Sequence, residues 1–269
     1  MGLDMTLGRV PKGMIDPNLT IDADFGDDED SDVLIDEGPV EITVRIPEKF
    51  YCETENDLEI DRRIRSEART ILRNMYKEHI GDFMWDVTSR ENMDGVVVIK
   101  LDCKDIYKCN PVSEAISLIY DNEFAYWRKF NALHAWFVKN CQNGVDQCQP
   151  SRHITRDDFQ KLLQALERAH DIFKSAIDTP AIREHAYKEY DPLKQVDEQE
   201  ADFEFMLPKD SPYVRDLDSV FPTAEGFFFG MTAYNWGYFE DVNRTIEIVR
   251  DILQDPNFDD WDFRYVSSW

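Results

Sequence analysis

The chain has 269 residues, 42% hydrophobic and 13% aromatic, enough apolar matter to bury a substantial core, which excludes global disorder. Its 55 acidic side chains against 30 basic ones give a formal charge of −25. That field repels a phosphate backbone, so direct nucleic-acid binding is not expected and a basic partner is. Five cysteines, Cys52, Cys103, Cys109, Cys141 and Cys148, show no zinc-ribbon or CxxC spacing, and no charged-then-apolar leader precedes them. No apolar run approaches the roughly 18 residues that a membrane span requires. The expectation is a cytoplasmic protein without membrane association, metal or cofactor.

Residues 1–39 read as an N-terminal segment in which Asp22 to Glu37 form an acidic loop or arm. Val40 to Ile46 alternates apolar and polar residues and predicts a strand ended by Pro47. Between Leu58 and Ile80 the spacing predicts a helix with Ile64, Ala68 and Leu72 on one arc and Arg62, Arg65, Arg69, Arg73 and Lys77 on the opposite arc. That basic helix face is either a solvated surface balanced by the protein's own acids or a partner contact. Gly95 to Asp102 predicts a buried strand, and Ile116 to Tyr120 a further one.

Glu123 to Asn140 predicts a single helix closed by Asn143-Gly144. Thr155 with Asp158 resembles a capping box, opening a helix that buries Phe159, Leu162, Leu166 and Phe173. The proline-bearing stretch 179–222 reads as an insertion containing a helical piece over Ala181 to Tyr190. Gly226 to Gly230 predicts a short buried strand, Tyr238 to Leu253 a helix stopped by Asp255-Pro256, and Trp261 to Val266 an edge strand. Together these elements predict an α+β fold: one mixed domain over residues 40–269, with a small sheet and about four main helices.

On the predicted helix from Glu123, a stripe of Glu123, Trp127, Asn131 and His134 points one way. A carboxylate, an amide and an imidazole so aligned suit acid–base work or recognition of a polar ligand, and equally suit holding a neighbouring loop. The aromatic run from Phe227 to Phe239 serves a core or a binding surface, with Tyr234 and Trp236 its more exposed candidates. Cys141, Cys148 and His153 match no structural zinc spacing.

Three separated segments, MGLDM at the start, YWRKFNALHAWFVKN followed by GVDQC, and GFFFG with its trailing tyrosines, resemble a family of uncharacterised proteins of bacteriophage genomes and prophages. That family begins MGLDMYL, so Thr6 departs from its pattern. The resemblance covers about a third of the chain and carries over Asp4, Trp127, Arg128, Asn131, His134, Trp136, Asp146, Gly226 and Gly230. It implies a phage-encoded protein acting in the infected bacterial cytoplasm, with a host-takeover or counter-defence role.

Two functional expectations follow. The first is a non-enzymatic interaction protein whose acidic surface binds and inhibits a host macromolecule, such as a basic nucleic-acid-handling protein, by carboxylates standing in for phosphates. The second is a small-molecule or nucleotide site, for binding alone or for catalysis, built from Glu123, Trp127, Arg128, Asn131, His134 and Asp146 with Tyr234 and Trp236.

Overall fold

A computed structural model describes residues 2–17, 19, 33–36, 38–48, 57–146, 148–180, 182, 205–226 and 228–269. The acidic residues Asp22 to Asp32 and Glu37, the Ala181 to Tyr190 piece apart from Ile182, Cys52 and Phe227 lie outside the described residues. The fold is α+β, and the chain divides into two compact units. The first comprises Met1–Met5, Ala125–Asp260 and Ser267–Trp269, and the second Thr6–Phe124 and Trp261–Val266.

In chain order the elements are β1 (Asp4–Pro11), β2 (Val33–Asp36), β3 (Val40–Pro47), α1 (Asp57–Tyr76), β4 (Met84–Met93), β5 (Val96–Lys104), β6 (Ile106–Lys108) and α2 (Pro111–Asp121). Then follow β7 (Glu123–Arg128), α3 (Asn131–Cys141), α4 (Arg156–Asp178), α5 (Pro212–Val220), α6 (Trp236–Gln254), a 3-10 turn (Phe258–Asp260) and β8 (Trp261–Ser268). The strands pair in the orders β7-β1-β8, β2-β6 and β3-β5-β4.

The second unit is organised by the antiparallel β3-β5-β4 sheet. Inward residues Ile42, Val44, Ile46, Val97, Ile99, Leu101 and Cys103 bury against Ile60, Ile64, Ala68 and Leu72 of α1. The alternation in β3 and the helical spacing in α1 are both as their sequences indicate. A smaller core joins Val10, Ile15, Ala115, Leu118, Ile119 and Val266. There α2 comes so close to β1 that a Cβ on Gly8 would lie 2.9 Å from the Ile119 backbone.

In the first unit α4 packs against α5 and α6. Its start is the predicted capping box: Thr155 accepts from the Asp158 backbone, and Asp158 accepts from the Thr155 backbone. Arg152 adds two bonds to the Asp158 carboxylate, at 2.7 and 2.9 Å. Phe159, Leu162, Leu166 and Phe173 are buried along it. α6 begins at an Asn235 cap and ends at Asp255, ahead of Pro256.

Four sequence expectations are corrected. Glu123–Arg128 is a strand rather than the start of a helix: Ala125 and Trp127 turn inward and Tyr126 and Arg128 outward. Lys129, at φ 59°, then breaks the chain before α3 begins. Ile116 to Tyr120 is helical, because Asn110 caps the helix and Pro111 opens it. The described residues of Gly226 to Gly230 form no strand: the Phe229 N–H bonds the Gly226 carbonyl at 3.2 Å, and Gly230 adopts φ 83°. Val33–Asp36, within the acidic stretch read as loop, is strand β2, paired with β6.

Candidate functional site

α3 carries the residues that converge most tightly. Asn131, in its first turn, donates to the carbonyls of Phe229 at 3.1 Å and Met231 at 2.9 Å, and accepts from the Ala224 N–H at 3.1 Å. One amide thus fastens both ends of the loop that bears Gly226 and Gly230. One turn on, His134 is 1% exposed. Its Nε2 lies 2.9 Å from Asp146, and its ring meets Phe229 edge-on at 4.8 Å.

Asp146 also accepts from the Trp269 indole N–H at 3.1 Å, and the Trp269 ring contacts Phe229. Burial alone would raise the Asp146 pKa, but hydrogen bonding and charge from His134, together with the Trp269 bond, outweigh it and hold the carboxyl below its ordinary value. An ionised carboxylate can only accept, so the imidazole donates through Nε2. The arrangement links an imidazole, a carboxylate and an indole around the 224–231 loop. General acid–base chemistry needs a proton within hydrogen-bond reach of a substrate, and here the buried imidazole presents that nitrogen to Asp146.

The other candidates are placed separately. Glu123 belongs to the second unit, where it accepts from Arg62 at 2.9 Å and Thr6 at 3.4 Å. Trp127 is buried and donates to Thr245 at 2.9 Å. Arg128 is largely exposed, 3.8 Å from Asp4, which also accepts from the Tyr126 hydroxyl. Tyr234 is buried and donates to Asp218 at 2.6 Å; burial and that carboxylate push its pKa upward. Trp236 packs among Phe173, Phe205 and Phe239. The Glu123/Trp127/Asn131/His134 stripe is thus split over a strand and a helix, and of the eight named side chains His134 and Asp146 meet directly.

The basic face of α1 turns largely into its own unit. Arg62 pairs with Glu123, Arg65 with Asp82 at 3.5 Å, and Arg73 with Glu114 at 3.3 Å. Arg69 is itself buried, bonded to Asp121 at 3.0 Å and to the carbonyls of Ile80 and Gly81. Lys77 lies beyond the helix at φ 61°, exposed, with its N–H on the Arg73 carbonyl.

Two features escape sequence reasoning. Trp269 reaches Asp146 from the far end of the chain, and no local pattern announces it. Glu114 gathers His79 at 2.6 Å, the Ile80 N–H at 3.0 Å and Arg73 around a recess of about 10 Å³, room for about one water molecule. The Asn110-Pro111 helix start, which places Glu114 in the first turn, is the signal that marks it.

Burial pushes the Cys103 thiol up to about 11 and the Cys141 thiol up to about 12, so both are protonated at neutral pH. Among the described residues no group of three or more His, Cys, Asp or Glu side chains is placed to hold a metal ion. None of their helices is long and apolar enough to cross a membrane. No protein-family model, curated protein or solved structure matches the chain.

Proposed function

We propose that this chain is an acidic interaction protein that binds a cationic surface of a host macromolecule. Following the resemblance of its MGLDM, YWRKFNALHAWFVKN and GFFFG segments, it is phage-encoded and acts as an inhibitor in the bacterial cytoplasm. The observation that carries the reading is the formal charge of −25, with Arg62, Arg65, Arg69 and Arg73, the candidate cationic face, paired to the chain's own carboxylates. Each internal ion pair consumes one charge of each sign, so the excess of 25 negative charges is undiminished and finds no counter-charge within the chain. Such a field steers a basic partner to the surface and repels nucleic acid.

The test is capture from a bacterial lysate by the tagged full chain, at about 0.1 M and about 0.5 M salt, with and without nuclease. Recovery of a basic nucleic-acid-handling protein at low salt, indifferent to nuclease and lost at high salt, is the expected result. Capture of nucleic acid itself, or retention that ignores salt, overturns the reading.

A second reading, a small-molecule or nucleotide site near His134, draws on Asp146, whose side chain is 29% exposed and joins His134 to solvent. It requires that a His134→Ala variant keep its melting temperature while losing ligand binding.

A further inference from the structure

The outermost strand of the β3-β5-β4 sheet is nearly bare. Of the ten residues of β4 only Trp85 and Ser89 are partly covered. Met84, Val87 and Met93 are 56%, 51% and 55% exposed. An edge strand left this exposed is a ready template for the backbone of another chain. We propose that β4 is a docking edge for an extended basic segment of a partner protein, which adds to this three-stranded sheet as a further strand. The inference rests on reading the chain as an acidic interaction protein and assigns that protein its contact surface.

The register defines what the edge offers. Trp85, Val87, Arg90 and Asn92 stand opposite Cys103, Leu101, Ile99 and Val97, the core-facing residues of β5. Met84, Asp86, Ser89, Glu91 and Met93 therefore lie on the other face. The hairpin turns through Asp94 and Gly95, at φ 47° and 82°, the left-handed pair of a type I′ turn. That turn makes Met93–Val96 a hydrogen-bonded pair, so by alternation Glu91–Val98 is another. Asn92, between them, directs its main-chain N–H and C=O away from β5. Thr88 is an extra residue between Val87 and Ser89, and this bulge confines the regular edge to Ser89–Met93.

Charge selects the occupant. In the two-fold register that pairs the whole of Ser89–Met93 with a second copy, Glu91 meets its own counterpart in a non-hydrogen-bonded pair, where side chains approach most closely. Two chains of charge −25 repel in addition. A Lys or Arg opposite Glu91 turns that repulsion into a cross-strand ion pair. Asp86 is paired with Lys104 of β5 at 3.3 Å, and the remaining charges of the strand and its turn, Glu91 and Asp94 against Arg90, keep the negative sign a basic segment requires. Cations on the face of Glu91 also lie over Met93, which their methylene stems cover.

The test titrates the full chain with a synthetic acetylated peptide of alternating Lys and Val. Its comparators are the matching Glu and Val peptide and a Lys and Val peptide with alternate backbone amides methylated. Fluorescence anisotropy measures affinity, and amide chemical-shift mapping locates the site. The Lys peptide is expected to shift Ser89 to Met93, with affinity lowered about tenfold by Glu91→Lys and abolished by backbone methylation. Shifts elsewhere, indifference to methylation, or binding of the Glu peptide overturns the docking edge. The two readings separate in the lysate experiment: equal, salt-sensitive capture of a basic protein by wild type and Glu91→Lys leaves the acidic-binder reading standing and defeats the edge. Absence of any salt-sensitive capture defeats that reading itself.

Discussion

The imidazole of His134 donates to Asp146 at 2.9 Å from a position in α3 that is closed to solvent, while the other Asp146 oxygen holds the Trp269 indole. Removing His134 leaves a partly buried carboxylate short of one partner and a gap beside Phe229. His134→Ala is expected to lower unfolding free energy by about 2 kcal/mol, and Trp269→Phe by about 1 kcal/mol. Urea unfolding of both variants measures this. An unchanged midpoint for His134→Ala would transfer weight to the ligand-site reading.

Acid sensitivity follows from two carboxylates. Arg152 and the Thr155 cap hold Asp158 well below the usual carboxylate range, and His134 and Trp269 hold Asp146 below its ordinary value. Both pKa values are depressed in the folded state, so the unfolded chain binds more protons as pH falls. The stability they contribute is present above the unfolded value, about pH 4, and is lost as pH drops through the folded values. Denaturation between about pH 7 and 3 should show this decline, and Asp158→Asn should flatten it.

Gly8 is where β1 admits α2. A methyl group there meets the Ile119 backbone at 2.9 Å, and backbone yields poorly. Gly8→Ala is expected to cost about 2 kcal/mol by thermal or urea unfolding, with a loss of packing that Ile119→Val only partly relieves.

The Arg69–Asp121 pair is buried at both ends. Arg69→Ala strands a carboxylate that burial already pushes toward protonation and should cost about 4 kcal/mol. The double variant Arg69→Met, Asp121→Leu should recover most of that loss. A double-mutant cycle reads the difference, and additive losses would contradict a coupled pair.

Cys103 and Cys141 are buried, with thiols raised to about 11 and about 12. Both should resist thiol reagents at pH 8 in the folded protein and react once it unfolds, as peptide mapping of the modified sites will show. Rapid native modification of Cys141 would contradict its burial at the end of α3.

The legible parts of the fold were those in which local chemistry and packing agree. The alternation in β3, the Thr155/Asp158 box, the Asp255-Pro256 stop and the edge position of β8 all carry through to the structure. Glu123–Arg128 misleads because its apolar residues continue without interruption into those of α3, so a helical period spans both. The interruption is Lys129 in a left-handed conformation that no proline or glycine announces. At Ile116 a short apolar run looks like a strand, although Asn110-Pro111 just ahead of it is a helix start.

The candidate site was legible in its members and not in its geometry. His134 and Asp146 are close in sequence and meet, but Tyr234 and Glu123 bond to Asp218 and Arg62 instead. A helical wheel also cannot tell a solvated arginine from one that finds an internal acid, and Arg69, buried against Asp121, is the clearest case.

The central claim, that excess negative charge drives association with a cationic protein surface, is tested most directly by association rate against ionic strength. The full chain would be mixed with the nuclease-treated basic protein it captures, from about 0.05 to about 0.5 M salt. The account predicts that the association rate constant falls at least about tenfold over that range while dissociation changes little. An association rate that does not vary with salt would contradict it.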